Sequence, residues 1–154
     1  MKVTNLVISI ISAVVMLTAD FFIFAITFLS SMVGAFVYNF STADHENIHE
    51  SFGMFGLSLL IGIIAIAALI LPIVGFVKSK KPDAKASTYG TIYGILCGAT
   101  LIANICTIPI VIWINSFVGD ASFYYAWPVV GFVLLIPMVI FTIICAAGMK
   151  KRAA

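Results

Sequence analysis

The sequence predicts an all-α membrane protein: a four-transmembrane-helix antiparallel bundle, up-down-up-down, with helices extending beyond the outer membrane plane. Three observations predict it. Charged residues make up 9% of the 154 residues and hydrophobic ones 63%, whereas a soluble domain carries about 25% charged residues. Charge-free runs cover 3–19, 21–43, 51–77, 86–119 and 121–149, and a helix needs about 20 apolar residues to cross a bilayer. The basic residues occupy three places: Lys2; Lys78, Lys80, Lys81 and Lys85; and Lys150, Lys151 and Arg152. Such clusters at span ends mark the cytoplasmic side.

The first helix is expected over 5–38. A break at Asp20 would make two spans too short for a full crossing. It would also translocate the four-lysine segment and hold the acidic stretch 44–50 inside, against the Lys/Arg bias. Residues 1–19 imitate a secretory signal, but Leu17 occupies the −3 position before Ala19, where a small residue belongs. They read as a retained span.

The other helices are expected over 52–77, 87–117 and 123–149, with outer loops near 39–51 and 118–122 and an inner loop near 78–86. Loops this short make sequential helices antiparallel neighbours. Both termini then face the cytoplasm, and the plasma membrane is the expected location. Segments of roughly 27–34 residues reach about 40–51 Å, more than an average tilt of about 20° absorbs. The lysines pin the inner ends, so the excess emerges outside, with the outer plane near Phe22, Ser58, Ile105 and Val130.

Aromatic residues crowd the outer ends: Tyr38, Phe40, Phe52, Phe55, Trp113, Phe117, Phe123, Tyr124, Tyr125 and Trp127. They suit an interfacial belt. Alternatively Trp113, Tyr124, Tyr125 and Trp127 form an apolar contact surface that docks a partner.

Asp20 is the one acid within an apolar run, and ionisable groups inside a membrane mark function by default. It stands about 27 Å above Lys2, at nearly the height of Asn104 above Lys85. Asp20 is expected to face the interior and meet Asn104 or a hydroxyl of Ser58, Thr100 or Thr107. The pair is either a polar clasp between helices, of about 0.6 kcal/mol, or an ion site.

Gly90, Gly94 and Gly98 share one face of the third helix, where missing side chains let another backbone approach. The second helix, with Gly53, Gly56, Ser58, Gly62 and Ala65, is the expected partner. A second protomer or another subunit is the alternative.

His45-Glu46-Asn47-Ile48-His49 is a literal H-E-x-x-H. On a helix the two histidines would share a face toward zinc, with Glu46 as general base. Here the motif falls in a loop of about a dozen residues with no substrate cleft, so a solvated acidic loop is the first reading. Metal binding through His45, His49 and Glu50 is the second, and a metallopeptidase the last. Pro72, Pro109 and Pro137 are read as fixed kinks. Cys97, Cys106 and Cys145 lie inside apolar runs without a C-x-x-C, which disfavours thiol-redox chemistry. The basic clusters lack interleaved aromatics, which excludes nucleic acid as a partner. They could hold anionic lipid headgroups.

No catalytic constellation emerges. The leading expectation is therefore a non-enzymatic small membrane protein without cofactor. Its partners are the lipid bilayer and another membrane protein or a second copy, which it joins as a subunit or accessory chain of a larger complex. The alternatives are a proton- or cation-coupled transporter or channel using Asp20, and an outer-face metal-binding protein.

Overall fold

The computed structural model describes residues 1–40, 46–118 and 122–153, with side chains over 1–33, 49–116 and 124–152. Four helices account for nearly all of this: α1 (Lys2–Phe40), α2 (Glu46–Ser79), α3 (Ala86–Val118) and α4 (Ser122–Ala153). There is no strand among the described residues. Each helix contains a stretch long and apolar enough to cross a membrane: Lys2–Val33, His49–Ser79, Ala86–Ser116 and Tyr124–Arg152.

The helices run further than expected at nearly every end. α2 starts at Glu46, so most of the expected loop 39–51 is helical. Glu46–His49 opens α2 rather than lying in a loop, while His45 lies outside the described residues. α4 continues through Lys150, Lys151 and Arg152 in its last turn. Cations there oppose the negative end of the helix dipole, which favours one more turn where the sequence suggests a tail. Between α2 and α3, successive turns (Lys80 N–H to Val77 C=O, Lys81 to Lys78, Ala84 to Lys81) carry the chain over.

The helices close into a ring in which α1 packs on α2 and α4, and α3 packs on the same two. Lys2 Nζ donates to Ser79 C=O at 3.0 Å, and Ser31 Oγ donates to Ser51 C=O at 3.1 Å. Two apolar clusters fill the interior. One holds Ala13, Ala68, Tyr89, Tyr93, Leu96, Met138, Cys145 and Met149. The other holds Met16, Ile23, Ile61, Ala65, Ala103, Ile110 and Ile114. Outward positions are apolar as well: Ile63, Ile102, Val133 and Ile143 are each more than half exposed.

Prolines stand inside these helices at Pro72, Pro109, Pro128 and Pro137. Tyr93 Oη donates to the carbonyl of Pro72 itself at 3.0 Å. The Tyr93 ring lies over Gly75, where an added Cβ would come within 2.7 Å of it.

Candidate functional site

The buried face of α1 is polar for most of its length. Stepping three or four residues at a time, Asn5, Ser9, Ser12, Met16, Asp20, Ile23, Thr27 and Ser31 all point inward, and none is more than 8% exposed. That spacing is one face of a helix. Six of the eight are polar, so the pattern of a soluble amphipathic helix is inverted: apolar residues outside, polar residues within. A lipid-facing exterior and an interhelical hydrogen-bonding interior would produce this inversion.

Asp20 stands near the middle of the seam. Ser58 Oγ on α2 donates to Asp20 Oδ1 at 3.2 Å. One turn further along α2, Gly62 leaves room for the other oxygen: a Cβ there would lie 2.7 Å from Oδ2. The carboxylate therefore meets a hydroxyl of α2, one of the partners the sequence offers.

Asn104 does not bond to Asp20. Its amide presses against α4 at Gly131, where a Cβ would overlap it, and its Nδ2 is buried without a hydrogen-bond partner. Thr100 and Thr107 turn their hydroxyls back to their own helix, donating to Leu96 C=O at 2.8 Å and Ala103 C=O at 2.9 Å. Asn104 and Thr107 nonetheless share one space with the carboxylate. Ser12, Met16, Ala19 and Asp20 of α1, Ile61 of α2, Asn104 and Thr107 of α3, and Trp127, Pro128 and Gly131 of α4 line a small internal cavity. Ser12 Oγ is a second buried group there with no partner. Among the described residues no cationic side chain lines the cavity.

A second polar junction lies nearer the chain start and was not foreseen. Asn5 Nδ2 donates to Tyr89 Oη at 3.0 Å and to Thr142 Oγ1 at 3.2 Å, which ties α1, α3 and α4 together. A lone Asn three residues into an apolar run resembles a membrane-edge residue. The signal that would have found it is the seam periodicity shared with Ser9, Ser12 and Asp20.

The glycine stripe sits elsewhere than expected. Gly90 approaches α4, not α2: its Cβ position lies 3.8 Å from Ala146 Cβ. At Gly94 and Gly98 nothing lies within 4 Å. The interior face of α3 instead runs through Tyr89, Tyr93, Leu96, Thr100, Ala103 and Thr107. Each stripe glycine is offset by a residue or two from that line, which turns it away from the core.

The aromatic residues are drawn inward for the most part. Trp113 and Tyr124 pack on the cluster around Ile110 and Ile114, Trp127 lines the cavity, and of the four only Tyr125 is exposed. Large rings at helix ends gain more by covering the core than by projecting from it. Phe24, Phe28 and Phe55 form a further cluster between α1 and α2, with ring centroids 5.3 to 6.0 Å apart. Tyr38, Phe40, Phe117 and Phe123 have side chains outside those described, as does Glu46. His49 and Glu50 are exposed. Among the described residues no three His, Cys, Asp or Glu side chains are grouped to hold a metal ion.

Compared with protein families, curated proteins and solved structures, the chain matches none.

Proposed function

We propose that this chain is a non-enzymatic, multi-pass membrane protein that serves as a small subunit or accessory partner in a larger membrane assembly. Its four helices cross the bilayer as an antiparallel bundle, with both termini on the cytoplasmic face of the plasma membrane and the opposite helix ends standing clear of the lipid. Contacts at matching heights support the alternation: Lys2 with Ser79, Asp20 with Ser58, and Ser31 with Ser51. The exposed apolar residues support lipid as the surrounding medium, since large contiguous apolar patches are rare on proteins that face water.

The observation that carries the assembly reading is the open glycine face of α3. Gly94 and Gly98 have nothing within 4 Å of their Cβ positions, and exposed Ile95, Leu101 and Ile102 flank them. A shallow groove of missing side chains between apolar ridges suits close approach by another transmembrane helix. Gentle solubilisation of native membranes tests it: the protein should migrate with a second chain or a second copy. Gly94→Leu and Gly98→Leu should release the protomer while leaving its own fold intact, because neither side chain meets an internal neighbour. Migration of the unaltered protein as a lone protomer would end this reading.

The polar seam of α1 favours a second reading, a proton- or cation-coupled transporter centred on Asp20. It expects Asp20→Asn in proteoliposomes to abolish flux in a protein that still inserts and stays folded.

A further inference from the structure

We infer that the cavity beside Asp20 is a binding site for one water molecule, which accepts hydrogen bonds from Asn104 Nδ2 and Ser12 Oγ and donates to the Asp20 carboxylate. The inference rests on neither functional reading above. Three observations meet in one place. The first is size: the cavity leaves about 10 Å³ for the centre of a water-sized sphere, close to the lower limit for a single water. The second is the pair of orphans. Ser12 and Asn104 are 3% and 6% exposed, both line the cavity, and neither Ser12 Oγ nor Asn104 Nδ2 has a partner in the protein. Polar groups buried this deeply are hydrogen-bonded as a rule, by ordered water where the protein supplies nothing. The third is the carboxylate, which receives one hydrogen bond from Ser58 at 3.2 Å and keeps acceptor capacity to spare.

The donors and acceptors suit one water. Water takes two hydrogen bonds and gives one here, the three-bond average for a buried water. A sodium or lithium ion would face the N–H hydrogens of Asn104 instead of an oxygen. An apolar occupant would leave Ser12 Oγ and Asn104 Nδ2 unsatisfied. The water therefore joins Asp20 on α1 to Asn104 on α3, which share no direct hydrogen bond.

Infrared difference spectroscopy of the full-length protein in nanodiscs tests the site, with D₂O against D₂¹⁸O as the probe. The expected result is one O–D stretching band that shifts with the oxygen isotope. Asn104→Leu should remove it. Ser12→Ala, a smaller change that keeps the fold safe, should move it. A spectrum without an isotope-sensitive band, or a band indifferent to both variants, overturns the proposal. Thermal unfolding in sodium, lithium, potassium and N-methylglucamine chloride at equal ionic strength separates water from a metal ion. Equal midpoints support water. A midpoint that climbs with the logarithm of one cation's concentration, as ligand linkage requires, overturns it in favour of that cation.

Discussion

Asp20 is held by a hydroxyl on one oxygen and by an absent side chain under the other. Ser58 reaches Oδ1 at 3.2 Å, and Gly62 provides the space for Oδ2. The two contributions are linked, because an alanine at 62 displaces the carboxylate from its donor. Ser58→Ala should cost about 0.6 kcal/mol, the average for a hydrogen bond between helices in lipid. Gly62→Ala should cost about 1–3 kcal/mol, as overpacking does. The double variant should fall short of the sum, since the bond lost in one is already lost in the other. Reversible unfolding in mixed micelles measures all three, and strict additivity would mean the carboxylate does not move. The inward position of Asp20 was legible because a lone acid in an apolar run has few other places to go. Ser58 was legible from its height along α2. The direct bond to Asn104 was not to be had: matching heights say nothing about the direction of a side chain, and this one is drawn to Gly131 on α4.

Among the elements, α3 shows why glycine spacing alone misleads. Gly90, Gly94 and Gly98 announce a packing face by their period, yet the glycines that admit a neighbour's side chain are solitary: Gly62 under Asp20, Gly75 under Tyr93, and Gly131 against Asn104. A single glycine leaves no periodic mark, so its role becomes visible only when the facing helix is in place. Space at the Cβ separates the two groups by experiment. Gly131→Ala should destabilise by about 1–3 kcal/mol, because the Asn104 amide occupies the position. Gly94→Ala in the isolated protomer should be neutral or stabilising, by up to about 1 kcal/mol, from helix propensity alone. Thermal melting of detergent-solubilised protomers ranks them, and equal effects would place the α3–α4 interface elsewhere. α1 carries the complementary lesson. Its seam of Asn5, Ser9, Ser12, Asp20, Thr27 and Ser31 keeps the helical period with Met16 and Ile23 filling the two gaps, but a search that tracks apolar residues passes over it. In a helix surrounded by lipid, the polar residues trace the interior.

At the scale of the whole molecule, length and charge act together. Helices of 39, 34, 33 and 32 residues extend roughly 48–58 Å, beyond a bilayer of about 40–45 Å with its headgroups included. Lys78 in the last turn of α2 and Lys150, Lys151 and Arg152 in the last turn of α4 satisfy the negative helix ends and, in the proposed orientation, the cytoplasmic bias. Lys2, held on Ser79 C=O at 3.0 Å, brings the start of α1 to the same level. In the proposed orientation those ends share one plane, so the surplus length falls on the opposite face. The four long apolar helices follow from composition and the placing of charges, which is why the sequence carries them plainly. The inward turn of Trp113 and Tyr124 depends on how four rods meet, and no single rod encodes it. Cysteine labelling tests the arrangement in cells, starting from a variant with Cys97, Cys106 and Cys145 replaced by alanine. Glu50→Cys and Lys80→Cys both occupy exposed positions, so neither substitution disturbs the core. A membrane-impermeant maleimide should modify the first in intact cells and the second only after permeabilisation. Modification of both from the same side would remove the antiparallel crossing. The outward surplus would then have no basis, because it needs every lysine-rich end on one face.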